Sequence, residues 1–149
     1  MAIKQHLYNH CLKFVNTRFQ TIQKTINEIQ ESLTSETKSS AGNKHETGRA
    51  MLQLEREKAG NQLAEVQKTK AMLSKIDVEK SSDVIGLGSV AYTTQANYFI
   101  AISAGELQVN DEAFYAISPS TPIGQLLLGK RSNDIIVFKE ITITIIKIE

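Results

Sequence analysis

The 149-residue chain has no tryptophan, one cysteine and only two prolines. It also has no run of about 18 apolar residues from which a membrane-spanning helix could be built. A lone cysteine, Cys11, excludes an internal disulfide; it falls among helical apolar positions, where a free thiol is a core residue rather than a reactive one. The first residues, Met1 to Leu7, lack the apolar stretch of a secretory signal. Together these absences point to a cytoplasmic protein with no membrane partner. Composition is that of a folded chain, 41% hydrophobic and 22% charged, which argues against global disorder.

Signatures of an autonomous active site are missing too. Gly86-Leu87-Gly88 has no third glycine opening a helix, so it fails as a dinucleotide loop, and there is no phosphate-binding glycine loop ending in Lys-Ser/Thr. His6 and His10, four apart on one helix face, supply half of a metal site at most, and His45 has no partner at zinc spacing. Ser118 has no visible base and orienting group. The sequence therefore reads as a binding protein, with no catalytic residue of its own and no small-molecule substrate.

Net charge is +1, but unevenly distributed: residues 1–80 carry +4 and residues 81–149 carry −3. A mildly basic first half suits a partner that carries nucleic acid, yet lacks the clustered Lys/Arg of an autonomous DNA binder.

Two periods divide the chain. Tyr8, Leu12, Val15, Phe19, Ile22, Ile26, Ile29 and Leu33 recur at alternating spacings of four and three, the stripe of a seam between supercoiled helices. No Pro or Gly interrupts residues 1–41, so a helix of about 35 residues, roughly 50 Å long, is expected. A second helical pattern runs from Glu46 to Ile76 with Leu52, Ala59, Leu63, Val66 and Leu73 on one face; Met51 and Leu54 lie beside it. Gly60 weakens this helix by about 1 kcal/mol relative to Ala. The link between the helices is short and rich in turn formers, which favours an antiparallel hairpin, a coiled coil over 1–80 with its tip near 37–48. A parallel dimer through the first helix is the rival arrangement.

After the polar linker Ser81-Ser82-Asp83 come β-branched and aromatic runs. Strands are expected at 89–92, 98–102, 114–117, 135–138 and 141–148. One short helix is expected between the third and fourth, with Thr121 as cap, Pro122 in the first turn and Gly129 as stop. The fold class is α+β: a helical hairpin over 1–80, then a small β-rich domain over 81–149 with one short helix. At the tip, Gly42 allows a tight turn, Asn43 can cap the second helix and Glu46 can close a capping box.

The segments Gly88-Ser89-Val90, Tyr98-Phe99-Ile100 and Ser118-Pro119-Ser120-Thr121-Pro122-Ile123-Gly124-Gln125-Leu126-Leu127-Leu128-Gly129-Lys130-Arg131-Ser132-Asn133-Asp134 resemble the C-terminal domain of the bacterial Gre transcription elongation factors. That family has a Gly-Ser-x-Val strand, a Ser-Pro-aliphatic-Gly helix ending in Gly-Lys, and Gly-Asp before two final strands. Thr121 stands here for the family's Ser and Asn133 for its Gly. Gly42, Asn43, Lys44, His45, Glu46 and Thr47 occupy the places of the family's hairpin tip, so the resemblance covers nearly the whole chain.

The resemblance implies an FKBP-like domain that docks at the rim of the RNA polymerase secondary channel, with Ser120, Thr121 and Pro122 in the contact. It implies a coiled coil that threads the channel, so nascent RNA and DNA are met only indirectly. Tip carboxylates of the family help the polymerase hold its second Mg²⁺ and cleave backtracked RNA, a hydrolysis in which the factor lends ligands. Mg²⁺ takes oxygen ligands, carboxylates above all. Here Asn43 replaces the tip Asp, Glu46 is retained as the one matching carboxylate and shared Mg²⁺ ligand, and His45 and Arg49 replace a serine and an acid. An amide offers Mg²⁺ a neutral oxygen without the charge and cannot act as a base. Weak cleavage stimulation with polymerase binding retained is the expectation. The alternatives are a non-cleaving channel-binding inhibitor, a coiled-coil adaptor or chaperone with an FKBP-like binding domain, and a prolyl isomerase, for which no aromatic proline pocket is apparent.

Overall fold

The computed structural model describes residues 3–38 and 43–149, with side chains described for 3–35 and 47–149. Two long helices, α1 (Ile3–Lys38) and α2 (Asn43–Leu73), precede β1 (Val90–Thr93), β2 (Asn97–Ile100), β3 (Gly105–Val109), β4 (Glu112–Ile117), α3 (Pro122–Leu127), β5 (Ile135–Phe138) and β6 (Ile141–Ile148). The class is α+β. Among the described residues no helix is long and apolar enough to cross a membrane.

Contacts divide the chain into two compact units, one made of Met1–Phe14 with Ala71–Glu149 and the other of Val15–Lys70.

The second unit is a pair of antiparallel helices. Lys70 of α2 places its ammonium 5.6 Å from the ring centre of Phe19, while Arg49 donates to the carbonyl of Leu33 at 3.3 Å. Low numbers on α1 thus meet high numbers on α2, and the order reverses further along. Ile26, Ile29, Leu33 and Ala59 form the buried seam, with Ile22, Leu52 and Leu63 packed on it. Burying such a stripe is what stabilises helices whose intrinsic propensity alone is marginal. Met51 and Leu54 stay outside the seam, 59% and 66% exposed. The 3.5-residue stripe is followed from Val15 onward. Nearer the start of α1, however, the fully buried residues are Leu7 and Cys11, and the expected Tyr8 and Leu12 are only half-buried.

In the first unit the six strands form one mixed sheet in the order β3-β4-β2-β1-β6-β5. All neighbours are antiparallel except β2 and β4, which run parallel with Tyr98 opposite Tyr115 and Ile100 opposite Ile117. Parallel pairing needs a crossover, and here β3 provides it. The sequence pattern predicts no strand here, because Gly105-Glu106-Leu107-Gln108-Val109 carries only two apolar side chains, both buried on an otherwise exposed edge. Asn110 and Asp111, with φ of 53° and 65°, make the two-residue turn that sends β4 back along it.

One sheet face holds Ile85, Ala91, Ile100, Ile136, Ile143 and Ile145 with Leu127 of α3. The register puts Val90, Phe99, Phe114 and Ala116 on the opposite face, all buried. A bulge in β6 marks the join with β1: Tyr92 faces Lys147 and Thr93 faces Ile145, leaving Ile146 unopposed.

A polar clasp ties three parts of this unit. Lys4, only 7% exposed, donates to the main-chain carbonyl of Lys80. Burial lowers its pKa, against the opposing pull of Asp77 and Glu149. Tyr92 donates to Glu149 Oε2 at 3.1 Å, and Lys147 lies 2.8 Å from Glu149 Oε1. Lys147 holds the Glu149 carboxyl below its ordinary value, whereas burial and then that carboxylate push the Tyr92 phenol up.

Candidate functional site

The loop singled out by the sequence, Ser118 to Pro122, is a closed network of hydrogen bonds. Thr121 is the N-cap of α3. With φ of −70° and ψ of 156° it is extended, and its hydroxyl accepts from Gly124 N at 3.1 Å. The same hydroxyl donates to the carbonyl of Ser118 at 2.7 Å, and that carbonyl also accepts from Thr121 N at 3.1 Å. Ser118 and Ser120 hydroxyls lie 2.8 Å apart, and Ser120 N donates to Ser118 Oγ at 3.2 Å. Ser118 N in turn donates to Ser103 Oγ at 3.3 Å, anchoring the loop to the segment after β2.

Two residues give the loop its shape without being part of the expected contact. Gly124 is buried, and a Cβ built on it would sit 2.5 Å from the Ser118 carbonyl oxygen and 2.8 Å from Thr121 Oγ1. Only glycine lets the helix approach the loop this closely. Gln125 reaches back to donate to the carbonyl of Pro119 at 2.6 Å. Spacing alone does not reveal this brace, because a glutamine on a short exposed helix reads as a solvated side chain. Of the residues expected at the contact, Ser120 and Pro122 are exposed and Thr121 is half-buried. The geometry offers a rigid, uncharged knob with no nucleophile–base pair in it.

Downstream, the helix ends as its glycine requires. Gly129 has φ of 81° and donates to the carbonyl of Ile85 at 2.9 Å, and Ile85 N returns a bond to Lys130 O at 2.9 Å. Asn133 has φ of 74°, the left-handed region that glycine fills freely and that asparagine tolerates best among other residues. Asp134 Oδ2 accepts from Arg131 N at 2.7 Å, closing the turn. Gly88 is likewise left-handed, with φ of 91°, and a Cβ there would lie 3.0 Å from Ile76 Cγ2. Gly88, Gly124, Gly129 and Asn133, all within the segments that carry the resemblance, thus each meet a specific backbone demand.

For the tip, the α2 backbone is helical from Asn43 onward. The side chains of Asn43, Lys44, His45 and Glu46 lie outside the described residues, as do the expected cap by Asn43, the capping box through Glu46 and the Mg²⁺ role of Glu46. Among the described residues no group of three or more His, Cys, Asp or Glu side chains gathers as a metal centre. The α2 start at Asn43 and the Ser118–Pro122 loop fall in different compact units. No model of a known protein family matches the chain, and no curated protein matches it.

Proposed function

We propose that this chain is a Gre-like transcription elongation factor that binds RNA polymerase at its secondary channel and modulates elongation, with only weak stimulation of backtracked-RNA cleavage. The observation that carries the reading is the build of the Ser118–Asp134 segment. Cap, close glycine, left-handed stop and left-handed Asn133 each meet a backbone demand at a position of the family motif. The chain that carries this segment also carries an antiparallel helical pair of 36- and 31-residue helices. On this reading the FKBP-like unit grips the channel rim through Ser120, Thr121 and Pro122, and the hairpin reaches inward. Hydrolysis belongs to the polymerase, with Glu46 lending one ligand to its Mg²⁺.

Asn43 favours a second form of the same reading, in which the protein occupies the channel without promoting cleavage and so inhibits or competes. The tip keeps one matching carboxylate, and a neutral amide cannot replace the charge of the other at Mg²⁺. The test is a backtracked elongation complex with labelled RNA. The unmodified protein is expected to shorten the RNA little, and Asn43→Asp to raise cleavage. Robust Mg²⁺-dependent cleavage by the unmodified protein would overturn the weak-cleavage assignment.

A further inference from the structure

We propose that the free edge of β5 is a self-pairing surface, on which a second copy of this chain adds its own β5 antiparallel and joins two six-stranded sheets into one. The proposal goes beyond the polymerase reading and does not depend on it.

The two edges of the sheet differ in kind. β3 carries Glu106 and Gln108 outward, polar side chains of the sort that discourage strand addition. β5 is Ile-Ile-Val-Phe, without charge, proline or bulge. Ile135 and Val137 are 62% and 60% exposed. They lie on the sheet face that buries Val90, Phe99 and Phe114 further along, but nothing in the described residues covers them.

The backbone of β5 is set for the same purpose. Lys139 and Glu140, with φ of 50° and 68°, form a two-residue turn, so Phe138 and Ile141 are the first hydrogen-bonded pair of the β5–β6 hairpin. Bonding alternates along an antiparallel ladder. Phe138 and Ile136 therefore bond to β6, and Asp134 continues the series by accepting from Ile145 N at 2.9 Å. Ile135 and Val137 turn their N–H and C=O groups to the free edge. The residues with exposed side chains are also those with outward backbone groups.

That coincidence selects a register. Opposed residues in an antiparallel pair point to the same face and exchange both bonds at alternate positions. Ile135 of one copy then faces Val137 of the other, with Ile136 facing its own counterpart at the two-fold axis. The arrangement makes two bonded pairs and covers four aliphatic side chains. Charge agrees with it: Asp134 precedes the strand and Lys139 follows it, so antiparallel pairing brings the acidic end of each copy beside the basic end of the other. The alternative centred on Val137 sets Asp134 against Glu140 and is disfavoured. A four-residue edge is smaller than a standard stable interface, so the dimer is weak and reversible.

Sedimentation of the whole chain over a concentration series tests this. A monomer–dimer equilibrium with a dissociation constant below about 1 mM is expected. Ile135→Lys alone and Val137→Glu alone should each weaken it at least tenfold, while the double variant, which sets each lysine against a glutamate of the other copy, should restore it. Circular dichroism checks that all variants remain folded. A monomer throughout, or single variants that dimerise as the unmodified chain does, overturns the proposal. Failure of the double variant to recover overturns the register.

Discussion

A methyl group on Gly124 would stand 2.5 Å from the carbonyl oxygen of Ser118. The contact is to backbone, so it cannot be relieved by turning a flexible side chain. Since that carbonyl also accepts both the amide and the hydroxyl of Thr121, moving it disturbs the cap of α3. Gly124→Ala is therefore expected to destabilise the protein by about 1–3 kcal/mol, the usual cost of overpacking a tight site. Thermal denaturation measures this. An unchanged midpoint would show that the loop yields freely.

Cys11 gives a prediction in pH. Complete burial pushes its thiol up from 9.0 to about 12. The unfolded chain releases this proton first, so between those values the folded state binds more protons and stability falls as pH rises. Below pH 9 the contribution is fully present. Cys11→Ala should cost stability at neutral pH by leaving a small cavity, yet flatten the decline between pH 9 and 12. Denaturant melts across that range compare the slopes. Equal slopes in both proteins would remove Cys11 as the cause.

Asn133 tests one position at which the chain differs from the Gre motif that it resembles. At φ of 74°, glycine is as comfortable as asparagine, and a β-branched residue is not. Asn133→Gly should leave stability within about 1 kcal/mol. Asn133→Val should lower it by about 1–2 kcal/mol. Urea titration distinguishes the two, and equal effects would mean that the turn adopts another conformation when substituted.

How far these features could be read in advance depended on how local their causes are. The α3 cap, its proline and its stopping glycine are local chemistry, and the structure has them at Thr121, Pro122 and Gly129. The helical stripe was legible because one face repeats over many turns. It misled at the start of α1, where the buried face belongs to the unit that includes the sheet, and Leu7 and Cys11 take the places expected of Tyr8 and Leu12. β3 was invisible because an edge strand with two buried residues has too little alternation to register. The Gln125 brace and the Lys4 clasp were hidden for a related reason. Both depend on carbonyls distant or unmarked in sequence, Pro119 and Lys80.

Binding of the whole chain to purified bacterial RNA polymerase, measured beside Pro122→Asn, is the decisive measurement. Pro122 is exposed at the start of α3 and has no side-chain role in the hydrogen-bond network. Saturable binding by the unmodified protein is expected, with weaker binding by the variant at unchanged thermal stability. No association of the unmodified protein with polymerase would contradict the proposed function.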